Sequence, residues 1–153
     1  MAIRDDLALI TWLGMASSTG KDSLDRCLRC IVDAKPVGSS AATGTFRFPL
    51  FRAKEACRVK SAGFITDTGQ ASDASNYRTV KLSKNDGVGG ADTDFDSKGG
   101  VSAALTADRR TAFTMVESTD TLAAGDWLIG IITSTGTGAA LGDISFEYEI
   151  WLD

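Results

Sequence analysis

A chain of 153 residues without a single histidine cannot run Ser-His-Asp or Cys-His hydrolysis, cannot build a His-containing zinc site, and lacks the commonest general base. Its net charge of −4 and the absence of any Lys/Arg cluster disfavour direct contact with nucleic acid, which depends on clustered cations that release counterions. The 43% apolar and 24% charged residues are those of one ordinary globular domain rather than a disordered chain.

Residues 1–44 read differently from the rest. No apolar run approaches the ~20 residues of a membrane span. The stretch Leu7–Ala16 has the length of a signal-peptide core, but Asp5 and Asp6 stand where positive charge belongs. A cleaved signal is therefore not expected, and three cysteines, an odd number, fit synthesis in a reducing compartment better than a disulfide framework. Leu7, Ile10 and Leu13, then Leu24, Cys27, Leu28 and Ile31, have helical spacing, with Asp6 and Ser23 placed to cap two short helices. The same region also alternates (Cys27, Arg29, Ile31 against Leu28, Cys30, Val32), so the expected arm is partly helical or extended. Trp12 with Leu7, Ile10 and Leu13 makes an apolar cluster too small to fold alone, and these four are interface candidates. Pro36–Gly44 is a flexible connector by composition.

From Thr45 to Asp153 the pattern predicts a β domain. Thr45–Arg52 is a strand in which Pro49 implies an edge or a bulge. Cys57–Ile65 is the second strand, 66–76 a polar loop, and Tyr77–Lys84 the third strand, ending in the turn Asn85-Asp86-Gly87. Residues 87–100 form a glycine- and aspartate-rich excursion, and Val101–Thr106 and Arg110–Val116 are weaker strands. After a turn at 122–126 come two strands, Asp126–Ser134 and Ile144–Asp153, joined through Gly136 and Gly142 by what reads as a hairpin connection. In the last, Ile144, Phe146, Tyr148, Ile150 and Leu152 share one face, while Ser145, Glu147, Glu149, Trp151 and Asp153 share the other. Strict alternation means one dry face and one wet one. The expected fold is all-β, an antiparallel β-sandwich of jelly-roll type.

Several constellations invite chemistry. Cys27-Leu28-Arg29-Cys30 is a C-x-x-C pair flanked by arginines, but a redox pair opens a helix within an α/β pattern, and two packed residues are the plainer reading. Asp92, Asp94 and Asp96 alternate like the start of a calcium loop, though Ser97 replaces the sharp-turn glycine and Ala103 the closing glutamate. Gly14–Lys21 misses the phosphate-loop spacing, and Asp22 would repel phosphate. Gly136-Thr137-Gly138 precedes a strand and not the helix of a dinucleotide site. Tyr77 beside Asn76 and Asp73 is the only cluster suited to a carbohydrate- or receptor-binding sandwich, the alternative function. Trp151, on the polar face beside Glu147 and Glu149, is either covered by the chain's own arm or a contact with another subunit. No catalytic residue and no cofactor is expected.

The order of segments resembles the capsid decoration (head auxiliary) proteins of tailed bacteriophages. The resemblance rests on Val59-Lys60-Ser61-Ala62-Gly63-Phe64-Ile65-Thr66-Asp67, a polar loop, and the strand 75–82. The glycine-rich excursion follows, then Ala124-Gly125-Asp126-Trp127-Leu128, Gly136-Thr137-Gly138 and Ile144-Ser145-Phe146-Glu147-Tyr148. It covers roughly residues 45–153 and leaves the long apolar arm unmatched. It implies a non-enzymatic virion structural protein on the outer capsid surface, commonly a homotrimer, bracing the major capsid protein. The charge balance agrees with an outward position, since a segment facing the genome usually carries a basic arm, whereas Arg4 here is set against Asp5 and Asp6.

Overall fold

The computed structural model describes residues 27–34, 44–100, 104–116, 118–136 and 143–152, with the side chains of 27–34 excepted. Every element among the described residues is a strand. They are β1 (Cys27–Ala34), β2 (Gly44–Arg52), β3 (Cys57–Thr66), β4 (Tyr77–Asn85), β5 (Thr93–Gly99), β6 (Thr111–Ala112), β7 (Thr121–Leu122), β8 (Trp127–Thr135) and β9 (Ile144–Leu152). One sheet has the order β1-β9-β3-β6, with β7 also on β3, and the other the order β2-β8-β4-β5. All ladders are antiparallel. Leaving out the short β7, these two orders are those of an eight-stranded jelly roll. The expected all-β sandwich is thus the fold observed.

The alternation in β9 is realised as read: Ile144, Phe146, Tyr148 and Ile150 are buried between the sheets and the residues between them face outward. In β3 the inward set runs Cys57, Val59, then Ala62 and Phe64, a slip of one residue caused by a bulge between Val59 and Ser61. Central β8 is buried on both faces, which explains its nearly continuous apolar run Leu128–Ile132. The core joins these residues to Leu82, Val80, Leu122 and Phe113. Tilted ring pairs link the layers, with Phe48 at 6.4 Å from Phe146 and Phe51 at 6.2 Å from Tyr148, while Phe64 lies 5.4 Å from Phe113 within the first sheet. Tyr148 Oη crosses between sheets to donate to the Leu50 carbonyl at 2.8 Å.

Some expectations change. The link from β8 to β9 is not a hairpin, because the two strands lie in different sheets. Their apolar faces oppose each other across the core, so one layer cannot hold both. The 87–100 excursion contains β5, paired with β4; its polar sequence hides a strand whose outward face is built of ion pairs. The strand expected at Val101–Thr106 reduces, in its described part, to a single bridge between Leu105 and Gln70, and that at Arg110–Val116 to the two residues of β6. Pro49 satisfies both of its readings: β2 is an edge strand, and its register shifts between Pro49 and Phe51. Of the two readings of the arm, the extended one holds over Cys27–Ala34, which pairs with β9 along its length. Although it precedes the boundary at residues 44 and 45, β1 is an edge strand of the same sheet. Residues 1–26, with the interface candidates Leu7, Ile10, Trp12 and Leu13, lie outside the described residues.

Candidate functional site

Among the described residues, three exposed large apolar side chains lie at one end of the first sheet. Trp151 and Leu152, at the end of β9, are each 37% exposed, and Val116 is 51% exposed. Leu152 has the inward parity of its strand but stands beyond the core, opposite Cys57. Trp151 stands opposite Arg58 in β3 and Cys27 in β1. Its indole Nε1 donates to Glu149 Oε1 at 2.9 Å, and Lys60 Nζ lies over the ring at 4.5 Å from the centroid. Ser61 Oγ donates to the other oxygen of Glu149 at 3.3 Å. The bulge explains this arrangement: with Val59 opposite Ile150 and Ser61 opposite Glu149, Lys60 is the extra residue, so both Lys60 and Ser61 face outward.

A shallow pocket of about 160 Å³ is lined by Arg58, Val59, Lys60, Met115 and Trp151. Its Met115 wall leads into a turn held by Asp120, which is 3% exposed. The Asp120 carboxylate accepts from the Val116 N–H, the Thr119 and Asp120 N–H groups return to the Val116 carbonyl, and Val59 N–H donates to the Asp120 carbonyl at 2.9 Å. This small loop is therefore fastened to β3 beside the tryptophan. Farther along the same face, Arg110 pairs with Glu147 and covers Gly63, where a side chain would meet the Thr111 carbonyl. The surface thus runs from an apolar and basic end (Val116, Leu152, Trp151, Arg58, Lys60) to the Arg110–Glu147 ion pair. It offers an aromatic plane, an aliphatic rim and cations, a set suited to burying surface against another protein.

The remaining sequence candidates are dispersed. Asp92 pairs with Arg47 and accepts from Asn85 Nδ2 at 3.0 Å, Asp94 pairs with Lys81 at 2.6 Å, and Asp96 pairs with Lys98 at 2.6 Å. Each carboxylate has its own cation, and no cluster of three His, Cys, Asp or Glu side chains suited to a metal occurs among the described residues. Partial burial alone would raise the Asp94 carboxyl; hydrogen bonds from Lys81 and Ser83 outweigh it and hold the group below its ordinary 3.8. Asp96 is likewise held low against partial burial, by Lys98 and the Thr114 and Ser97 N–H groups. Asp73 accepts from the Ser75 and Asn76 N–H groups at 2.7 and 2.9 Å, which lower its carboxyl and tie it into its own turn. Cys27 and Cys30 fall on β1, opposite Trp151 and Tyr148, and Cys57 is buried in the core.

The sequence reading found Trp151 but not Arg58, Lys60, Met115, Val116 or Leu152. The bulge left a trace, the break in alternation between Val59 and Ala62, and this trace places Lys60 and Ser61 on the tryptophan's side.

No protein-family model matches the chain, and no curated protein matches it in sequence. Among solved structures it is similar to an aminopeptidase from the marine sediment archaeon Thaumarchaeota archaeon, at 13% identity and a TM-score of 0.42 over 71% of this chain and 26% of that one. It is also similar to structures of infectious bursal disease virus. The Gt strain gives 12% identity and a TM-score of 0.27 over 82% of this chain and 32% of that one. The Gx strain gives 14% and 0.27 over 90% and 41%. The chain thus spans well under half of each of these proteins, and a likeness of this size does not extend to function.

Proposed function

We propose that this chain is a virion structural protein: a capsid decoration protein that binds the outer surface of an icosahedral phage head, as a homotrimer, and stabilises contacts between major capsid subunits. The observation that carries this reading is the exposed cluster of Trp151, Leu152 and Val116 at the end of the first sheet, with Lys60 and Arg58 at its side. Large aromatic and aliphatic side chains held rigidly in contact with solvent are what a protein partner buries. The resemblance of 45–153 to head auxiliary proteins supports the same reading, as does the jelly-roll topology, which recurs in viral shells, although that fold also serves other functions.

The mechanism is mass action. A protein that binds the assembled shell and not the separated subunits shifts the equilibrium toward assembly. Repetition over a lattice makes modest affinity per copy sufficient. No bond is made or broken in this mechanism, in keeping with an interaction protein and not an enzyme.

The test uses expanded phage shells lacking the protein. The wild-type chain co-sediments with them and raises their melting temperature, while Trp151→Ala folds normally and binds at least about tenfold more weakly. Full occupancy by Trp151→Ala removes the cluster from the mechanism. Binding to a glycan array with no co-sedimentation at all overturns the reading in favour of host attachment.

A further inference from the structure

Three polar side chains inside the sandwich are buried and incompletely partnered. Gln70, Arg78 and Ser134 are 3%, 2% and 3% exposed. Gln70 Nε2, Arg78 Nε and Ser134 Oγ find no hydrogen-bond partner among the described residues. The three are neighbours: Gln70 Oε1 accepts the Arg78 backbone N–H at 2.8 Å, and Arg78 stands opposite Ser134 in the β4–β8 ladder. The scaffold around them is fixed. Gln70 exchanges two 2.8 Å backbone bonds with Leu105, and the Arg78 carbonyl accepts from Gly100 at 2.9 Å.

The unused groups are an amide NH2, a guanidinium N–H and a hydroxyl, all able to donate. None of the ion pairs among the described residues involves Arg78. A buried cation without a counter-charge, beside two unsatisfied polar atoms, carries a penalty that rivals the net stability of a domain. A water molecule would satisfy the hydrogen bonds and leave the charge uncompensated. A cation would be repelled. A small monovalent anion answers both needs. We propose that Gln70, Arg78 and Ser134 bind a halide-sized inorganic anion between the two sheets, chloride being the one tested here.

The experiment is thermal unfolding of the full chain in sodium chloride and in sodium gluconate at equal ionic strength. The expected result is a Tm higher by about 4 °C in chloride, and a bromide-soaked crystal with an anomalous peak between the three side chains. Ser134→Ala, a small change at one contact, reduces the chloride shift, and Arg78→Met abolishes it. Equal Tm values in the two salts, or a water in place of the bromide peak, overturn the proposal, as does an Arg78→Met protein that keeps the full chloride shift. Should Arg78→Met fail to fold, the wild-type salt comparison and the bromide map decide the matter. Neither depends on particle binding.

Discussion

The edge of the Phe146 ring lies against the bare Cα of Gly130 in the opposite sheet: a Cβ built at Gly130 would come within 2.6 Å of Phe146 Cζ. This contact sets the spacing of the two layers at the middle of the core, where β8 and β9 face each other. Gly130→Ala is expected to destabilise the protein by about 1–3 kcal/mol through overpacking, measured by urea unfolding. Adding Phe146→Leu, which withdraws the ring edge, should recover part of that loss; a double variant worse than the sum of the two would show that the contact is not the cause.

Acid should weaken the second sheet first. Asp94 and Asp96 have carboxyls held below 3.8 when folded. Their contribution is therefore fully present above the unfolded value and is lost as pH falls through the depressed folded one. Tm is expected to be flat from about pH 7 to pH 5 and to drop below about pH 4. In Asp94→Asn with Asp96→Asn the drop should be shallower. Both carboxylates keep contact with solvent, 44% exposed for Asp94 and 21% for Asp96, so screening keeps the effect modest.

Calcium should not change the protein. The alternating carboxylates Asp92, Asp94 and Asp96 are held by Arg47, Lys81 and Lys98 respectively. An ion would have to displace three cations in separate places. Melting curves with millimolar calcium and with a chelator should superimpose; a calcium-dependent rise in Tm would refute this account of the loop.

Asp120 should matter more than its loop position suggests. It is buried, and its carboxylate accepts the Val116 N–H. Asp120→Ala leaves that donor without its partner and is expected to cost about 1–3 kcal/mol. Because the loop continues directly from Met115 in the pocket wall, the variant should also bind shells more weakly even where it is fully folded. Hydrogen exchange at Val116 would report the loosening directly.

Much of this architecture was legible in the chain itself. β9 reads correctly residue by residue as far as Ile150, because each inward position is apolar and each outward one polar. Pro49 announces both an edge and a bulge. What local pattern cannot carry is the identity of a strand's neighbours. β8 and β9 look like a hairpin because only a short glycine-rich link separates them, yet both must put an apolar face on the same core from opposite sides. β5 was hidden for a different reason. Its aspartates and lysine are neutralised in ion pairs, Asp94 across the ladder with Lys81 and Asp96 with Lys98 of the same strand, so they resemble a loop by composition. At the site, Trp151 was visible as an aromatic out of place in a polar set. Val116 and Met115 became its neighbours only through the buried carboxylate of Asp120, a long-range consequence that no spacing reveals.

The position of β9 between β1 and β3 also governs the order in which the first sheet can close. Neither of those earlier strands touches the other; each pairs with residues 144–152. The first sheet therefore has no centre until residues 144–152 take their place between strands distant in sequence. Such non-local closure makes for slow folding and leaves partly folded chains open to aggregation.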